Sequence, residues 1–194
     1  MKLIGLTGGI GSGKSTVGKL LENKGIPVYY SDLRAREIMN ETPEIIAQLK
    51  AWYGDEIYVN DTLDREKLGP IVFSDSEKLN KLNALVHPAV FEDFDRWKQE
   101  QTSPIIIKEA AILFESGSYK ECDLVVTVSA PEEVRIIRTM ERDQMSREKV
   151  INRMSKQWPD QKRESKADYI IRNDSGFIEL ERAVEQFYYW IQHQ

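Results

Sequence analysis

The chain enters a glycine-rich loop within its first ten residues: Gly8-Gly9-Ile10-Gly11-Ser12-Gly13-Lys14-Ser15-Thr16. The apolar run before this loop, residues 2–7, has the composition of a short buried strand. After it, Val17, Leu20 and Leu21 recur at helical spacing, and Gly25 follows as a helix stop signal. Strand, loop and helix therefore follow one another in the order that the phosphate-binding motif G-x-x-x-x-G-K-[ST] requires.

This motif predicts a nucleoside triphosphate site because each of its residue types has a physical task. Glycines let the backbone wrap a phosphate chain with its N–H groups pointing inward. The first turn of the following helix adds further N–H groups and the positive end of its dipole. We expect Lys14 to reach the β- and γ-phosphates, and the Ser15 hydroxyl to join the shell of a bound Mg²⁺.

Composition and charge exclude several other classes of protein. The 194 residues suit one domain, with or without an inserted sub-domain. A content of 41% hydrophobic and 30% charged residues allows a packed core with a polar surface. The single cysteine, Cys122, allows no intrachain disulfide and no cysteine cluster for zinc. No apolar run approaches the roughly 20 residues of a membrane span, and the glycines come too early for a signal peptide, which favours a cytoplasmic protein. The net charge of −5 disfavours general nucleic-acid binding.

Missing motifs narrow the class of nucleotide-binding protein. The chain contains neither Asp-x-x-Gly nor the guanine signature Asn-Lys-x-Asp, which disfavours a GTPase. A motor or transporter ATPase would usually have an apolar strand ending in Asp, whereas the apolar run of residues 104–107 leads into Lys108 and Glu109. Two interpretations of Glu109 are open: it acts on Mg²⁺ through water, or it is a strand-end charge at the surface.

A carboxylate follows the second predicted strand. Ile26 to Tyr30 is the strand, and Ser31 and Asp32 come directly after it. The carboxyl ends of strands in a doubly wound sheet gather round the ligand crevice, so we expect Asp32 near the γ-phosphate that Lys14 holds. There it can align an attacking hydroxyl and accept its proton. The residues leave a second interpretation equally open, in which Asp32 caps a helix that begins at Leu33.

Residues 33–101 are expected to be almost wholly helical, as a long insertion before the third strand. Asp64 and Ser76 are plausible caps, and Pro43 and Pro88 suit first-turn positions. In small-molecule kinases an insertion at this point commonly binds the acceptor, whereas the alternative is a purely structural bundle. His87 is read as a core or helix-end histidine in preference to a catalytic one.

A basic stretch follows the next predicted strand. Residues 134–172 carry eleven Lys and Arg against six Asp and Glu, and three arginines share one helix face at spacings of three and four: Arg135, Arg138 and Arg142. This pattern favours a mobile lid over about residues 135–160, whose arginines close over phosphates. The rival interpretation is salt bridging to acids such as Asp143 on the same helix.

These elements together predict one α/β domain over residues 1–194, with the P-loop nucleoside triphosphate hydrolase-type fold: a parallel sheet flanked by helices, a helical insert and a lid. The remaining elements are a fourth strand at residues 124–128, a helix that starts with Pro131-Glu132-Glu133, a last strand within residues 166–173 and a closing helix over residues 177–194. The apolar stripe of that closing helix is expected in the core: Phe177, Leu180, Val184, Phe187 and Ile191.

The ordered set of motifs resembles the dephospho-coenzyme A kinase family over nearly the whole chain. The segments that carry the resemblance are the loop at residues 6–16, Ser31-Asp32 with Ala35-Arg36-Glu37, Leu63-Asp64-Arg65 with Phe73, residues 82–88, residues 138–143, and Gln157, Lys162, residues 167–171 and Asn173. Two positions depart from the family pattern. Tyr30 stands where the family often has a first Asp, and Ala111 stands where it tends to have a proline.

The resemblance implies ATP-dependent phosphorylation of the 3′-hydroxyl of the ribose of dephospho-coenzyme A, which gives coenzyme A and ADP. It implies catalytic roles for Asp32, Lys14 and Arg138, and a substrate-binding group formed by Asp32, Arg65, His87 and Arg142. ATP would lie on Gly11, Ser12, Gly13, Lys14, Ser15 and Thr16, with Mg²⁺ at Ser15. No nucleic-acid or membrane partner is expected. Two other functions stay open, a kinase of another small acceptor such as a nucleoside monophosphate or shikimate, and an ATP-binding switch.

Overall fold

The computed structural model describes all residues from 1 to 194. Its strands, numbered in chain order, are β1 (Lys2–Gly8), β2 (Val28–Tyr30), β3 (Tyr58–Val59), β4 (Thr62–Leu63), β5 (Ile105–Glu109), β6 (Leu124–Ser129) and β7 (Tyr169–Arg172). Its helices are α1 (Lys14–Glu22), α2 (Ser31–Glu41), α3 (Pro43–Tyr53), α4 (Arg65–Phe73), α5 (Ser76–Gln99), α6 (Glu132–Asp143), α7 (Arg147–Met154), α8 (Asp160–Glu164) and α9 (Phe177–Gln192). None of these helices has both the length and the apolar content that crossing a membrane requires.

Five strands form one parallel sheet in the order β2-β5-β1-β6-β7. The central strand β1 is buried at every residue except Lys2, as expected of a parallel strand covered on both faces. Leu6 lies in register with Glu109 of β5 and with Val126 of β6. Because all five strands run the same way, their carboxyl ends meet at one edge, and the glycine loop leaves β1 at that edge.

The main core lies between the sheet and two helices. From α1 it receives Val17 and Leu21, and from α9 it receives four of the five residues of the predicted stripe: Leu180, Val184, Phe187 and Ile191. The prediction for Phe177 is wrong, since this residue is 57% exposed. It is the first residue of α9 and lies almost one turn before the part of the helix that packs on the sheet.

The chain divides into two compact units. Residues 1–30 and 101–194 form the sheet unit, and residues 31–100 form the helical unit. Within the helical unit, Arg34 of α2 holds Asp93 of α5 with two hydrogen bonds of 2.9 Å, from Nε to Oδ2 and from Nη2 to Oδ1. The apolar residues buried in this unit include Ile38, Leu49, Ile57, Leu68, Val86 and Phe94.

The helical unit is less helical than the sequence predicted. A short antiparallel hairpin, β3–β4, lies between α3 and α4. Its turn residues Asn60 and Asp61 both adopt positive φ, 49° and 58°, which short polar side chains tolerate better than others and which a two-residue hairpin turn requires. The local signal was present in Asn60-Asp61, but it is weak because no glycine accompanies it.

Two of the four helix-end predictions for this unit are confirmed. Asp64 caps α4 by accepting hydrogen bonds from the N–H groups of Glu66 and Lys67, and Pro43 is the first residue of α3. Two are wrong: Asp75, not Ser76, caps α5, and Pro88 lies inside α5. Proline removes one hydrogen bond from the helix, yet α5 continues for eleven residues beyond Pro88.

Candidate active site

The glycine loop between β1 and α1 is a tight turn of backbone. Gly11 and Gly13 adopt φ of 76° and 98°, and the Ser12 N–H donates to the Gly9 carbonyl at 3.1 Å. Hydrogen bonding into α1 starts with the Val17 N–H, which donates to the Gly13 carbonyl at 3.0 Å. The N–H groups at the start of α1, among them that of Ser15, therefore precede the first intrahelical bond and can bind an anion.

Close packing explains why the loop consists of glycines. A Cβ at Gly8 would lie 2.4 Å from the Val128 carbonyl oxygen of β6. A Cβ at Gly11 would lie 2.4 Å from the Arg135 carbonyl oxygen of α6. No real Cβ makes contacts this short, so the loop can lie against β6 and α6 only without side chains at these positions.

The loop residues differ in what they can offer a ligand. Ser15 is exposed in the first turn of α1, so its hydroxyl is available to a hydrated cation and fits the predicted Mg²⁺ position. Lys14 is the first residue of α1 and is only 9% exposed. Ser12 is completely buried and its Oγ has no hydrogen-bond partner, so any contact that it makes with a nucleotide would come from its backbone.

Glu109 is not a surface charge. It ends β5 and is 4% exposed, in register with Leu6 on one side and Tyr30 on the other. The surface interpretation is therefore wrong, while its action on Mg²⁺ stays a prediction. Tyr30, which stands at the position of the family's first Asp, donates its hydroxyl to Glu22 of α1 at 2.9 Å. Burial, together with that hydrogen bond, raises the pKa of Tyr30 well above its usual value, so this hydroxyl stays protonated.

Two buried guanidinium groups lie under the start of the loop. Arg135, 4% exposed, donates Nε–H to the Ala130 carbonyl at 3.1 Å and Nη1–H to the Ile10 carbonyl at 3.4 Å. Arg135 and Arg163 both pair with the one carboxylate of Asp160. The prediction that Arg135 shares the lid face with Arg138 and closes over phosphates is wrong, because it is built into the support of the loop. Burial lowers the pKa of Arg135, an effect that Asp160 opposes.

Arg138 and Arg142 have different surroundings although they lie on one helix. Arg138 is half-buried and its guanidinium contacts Asn173, the residue after β7. Arg142 is exposed and donates Nε–H and Nη2–H to Asp143 at 2.7 and 3.0 Å. That hydrogen bonding raises the pKa of Arg142. The salt-bridge interpretation therefore describes Arg142, whereas Arg138 lies beside the loop.

The predicted lid segment is regular structure for much of its length. Residues 135–160 comprise most of α6, all of α7, the two short connections after these helices and the first residue of α8. Arg147 of α7 holds Glu133 of α6 through two hydrogen bonds of 2.6 Å. A closing motion of this segment stays a prediction.

The other candidate residues belong to the helical unit. Asp32 lies in the first turn of α2, which begins at Ser31 and not at Leu33, so Asp32 is inside the helix and is not its cap. Arg65 is the exposed first residue of α4. His87 is half-buried on α5, with its ring 6.4 Å from that of Phe91, and burial lowers its pKa. The helix-end interpretation of His87 is wrong, because this residue lies in the middle of α5, and its ring is only partly in the core. Roles for Asp32, Arg65 and His87 toward substrate stay predictions.

Two side chains that contact the loop received no role from their local sequence. The Asn173 Nδ2–H donates to the Ser12 carbonyl at 2.8 Å, across 161 residues of chain. The Gln157 Oε1 accepts the Ile10 N–H at 2.9 Å, across 147 residues. No local pattern marks either residue, because their partners come from another part of the chain. Only the family resemblance singled them out.

Comparison with known proteins decides the family. Residues 2–179 match the family model described as dephospho-CoA kinase. The chain belongs to the dephospho-CoA kinase family. A dephospho-CoA kinase of Fusobacterium nucleatum is 40% identical over 186 residues, which cover 95% of this chain and 96% of that protein.

Solved structures agree on the fold. A protein of Thermus thermophilus, described as TT1252, superposes with a TM-score of 0.85 at 35% identity over 97% of both chains. The dephospho-CoA kinase of Campylobacter jejuni superposes with a TM-score of 0.70 at 25% identity over 98% of both chains. The predicted fold class, a parallel sheet flanked by helices as in P-loop kinases, is confirmed.

Proposed function

We propose that this member of the family transfers the γ-phosphoryl group of ATP to the 3′-hydroxyl of the ribose of dephospho-coenzyme A, giving coenzyme A and ADP. The observation that carries the proposal is a glycine loop with an adjoining helix N-terminus in a chain that matches the family model from residue 2 to residue 179. The named relatives favour this acceptor over a nucleoside monophosphate or shikimate and favour an enzyme over a switch. We also propose, from the composition of the chain and its single cysteine, that it acts in the cytoplasm.

The sheet unit would bind and polarise the nucleotide. The amides of the loop and of the first turn of α1 would hold the phosphate oxygens, and the ammonium group of Lys14 would lie at the β- and γ-phosphates. When bound at Ser15, Mg²⁺ supplies positive charge to the same phosphates. The Arg138 guanidinium would neutralise charge on the transferred oxygens, where each such contact is worth roughly 10²–10³ in rate.

The helical unit would present the acceptor. The acceptor oxygen attacks the γ-phosphorus, the bond from that phosphorus to the bridging oxygen breaks, and its electron pair leaves with ADP. Asp32 would align the hydroxyl and take its proton. Arg65 and His87 would contact the acceptor, and Arg142 would do so through the N–H groups that Asp143 does not bind.

The test is ADP release from ATP and Mg²⁺ with and without dephospho-coenzyme A, with AMP and shikimate as alternative acceptors. The proposal predicts release that depends on dephospho-coenzyme A, with one coenzyme A formed for each ADP. Release that depends on another acceptor would keep the phosphoryl-transfer chemistry and reject this acceptor. ADP release without any acceptor, or ATP bound but not cleaved, would favour the switch.

A further inference from the structure

A single buried side chain joins the glycine loop to Arg138. Asn173 is 6% exposed, and its Nδ2–H donates to the Ser12 carbonyl at 2.8 Å. It lies so close to the loop that a Cβ at Gly13 would come within 2.3 Å of Nδ2. Its own N–H donates to the Ser129 carbonyl at the end of β6, also at 2.8 Å. Backbone and side chain of Asn173 are therefore both fixed.

Arg138 contacts the backbone carbonyl and the side-chain oxygen of Asn173. Its Nη1–H donates to the Asn173 carbonyl at 3.2 Å, and its Nη2–H points to Oδ1 at 3.4 Å. The amide orientation follows from this arrangement. A flipped amide would place oxygen against the Ser12 carbonyl and NH₂ against the guanidinium, which pairs acceptor with acceptor and donor with donor. One amide thus binds a loop carbonyl with its donor and a guanidinium with its acceptor.

We propose that Asn173 is a positioning residue that sets where the Arg138 guanidinium lies relative to the phosphate-binding loop. The proposal rests on the proposed function, in which Arg138 acts on the transferred phosphoryl group. A group held in place before the reaction stabilises developing charge without having to be ordered in the transition state. An arginine side chain has several rotatable bonds, so a fixed anchor at its guanidinium matters more than for a shorter residue.

The test is a double-mutant cycle of Asn173→Ala and Arg138→Ala, with kcat and both KM values measured for the four proteins. Asn173→Ala removes one neutral hydrogen bond and one bond from the Arg138 guanidinium, and we expect kcat to fall about tenfold. Because Asn173 acts through Arg138, the double variant should lie within about twofold of Arg138→Ala. If the two falls in kcat multiply in the double variant, or if kcat is unchanged in Asn173→Ala, the proposal is overturned.

Two controls separate positioning from general damage. Asn23→Ala changes an exposed asparagine that follows α1, away from the loop, and should leave kcat and both KM values unchanged. The melting temperature is compared for all variants, and Asn173→Ser replaces Asn173→Ala if the latter does not fold, since serine keeps a small polar group. With either variant, KM for ATP should change much less than kcat. A rise confined to KM for ATP would mean that Asn173 shapes the loop only, which rejects the proposal.

Failure of the proposed function is recognised separately. If the unsubstituted protein releases no ADP in response to dephospho-coenzyme A, the acceptor assignment fails, and the cycle is measured by titrating the four proteins with ATP and with ADP. The positioning proposal then predicts that Asn173→Ala weakens the preference for ATP over ADP only where Arg138 is present. If Asn173→Ala weakens the preference for ATP equally with and without Arg138, or weakens it in neither case, the proposal is rejected.

Discussion

The two units of this chain place their candidate residues in contrasting ways. In the sheet unit the site is mainly backbone: the loop adopts positive φ at glycines, and buried groups such as Arg135 and Asn173 hold it from outside. In the helical unit the candidates are side chains on helix surfaces, with Arg65 exposed and His87 half-buried. From this contrast we expect substitutions in the sheet unit to disturb nucleotide chemistry whatever the acceptor. Substitutions in the helical unit should be felt mainly through the acceptor.

Within the sheet unit, the largest effect is expected at Lys14. Lys14→Ala removes the ammonium group from the phosphates, so we expect kcat to fall by roughly 10²–10³ at any concentration of dephospho-coenzyme A. Lys19→Ala, at an exposed lysine in the last turn of α1, is the control and should behave as the unsubstituted protein. Steady-state kinetics with both substrates varied make the measurement. A change limited to KM for the acceptor would break the contrast between the units.

A glycine pair separates backbone strain from packing. Gly13→Ala introduces a Cβ at φ 98° that would lie 2.3 Å from Asn173, so the loop has to shift, and a shift of about 1 Å can cost about 10²-fold in rate. Gly25→Ala is also at a positive φ, 82°, but its Cβ would meet nothing within 4 Å. It should lower stability by about 1–2 kcal/mol and leave kcat unchanged. Thermal unfolding and kcat are measured for both, and equal kcat losses would contradict the account.

In the helical unit we expect an effect confined to the acceptor. Arg65→Ala should raise KM for dephospho-coenzyme A by about tenfold or more, the scale of a lost charge-assisted hydrogen bond, and leave KM for ATP unchanged. Arg96→Ala removes another exposed arginine of the same unit, one that pairs with Asp93, and should change little. A rise in KM for ATP with Arg65→Ala would show that the two tasks are not divided between the units.

The smallest effect is a pH dependence of stability. Because burial lowers the pKa of His87 in the folded protein, the unfolded chain binds a proton more readily at this site. The contribution of neutral His87 to stability is therefore present above about pH 6.5 and is lost as the pH falls through the folded pKa below that value. The free energy of unfolding is measured with urea at pH 7.5 and pH 5.5. Between these two pH values it should fall less in His87→Gln than in the unsubstituted protein. An identical loss in both proteins would place the pH dependence elsewhere.

The sequence predicted the sheet unit well because its signals are local. The apolar run, the glycines and the helix after them fix the phosphate loop within sixteen residues, and β1, α1, β6 and α6 are where the patterns placed them to within two residues. The burial of Glu109 and Arg135 was not predictable from such signals. Both are charged residues whose burial depends on neighbours far along the chain, Leu6 for one and Asp160 for the other.

The helical unit was predicted less well because fewer of its features are marked by local sequence signals. Amphipathic spacing indicates helices, but it does not reveal a two-residue hairpin turn such as Asn60-Asp61 or a proline retained inside a long helix, as Pro88 is in α5. That Arg65 and His87 lie on helices could be predicted, whereas the start of α2 at Ser31, which places Asp32 inside that helix, could not. Only the family resemblance suggests a role toward substrate for Arg65 and His87.

The decisive substitution for the proposed phosphoryl transfer is Asp32→Asn, since it removes the proposed proton acceptor and keeps the size of the side chain. We expect kcat to fall by about 10²–10⁴, the usual contribution of general base catalysis, while the affinity for ATP stays within about twofold. Asp95→Asn, at an exposed position of α5, is the matched control. Near-normal turnover of Asp32→Asn would contradict the account and leave Asp32 with a purely structural role in the first turn of α2.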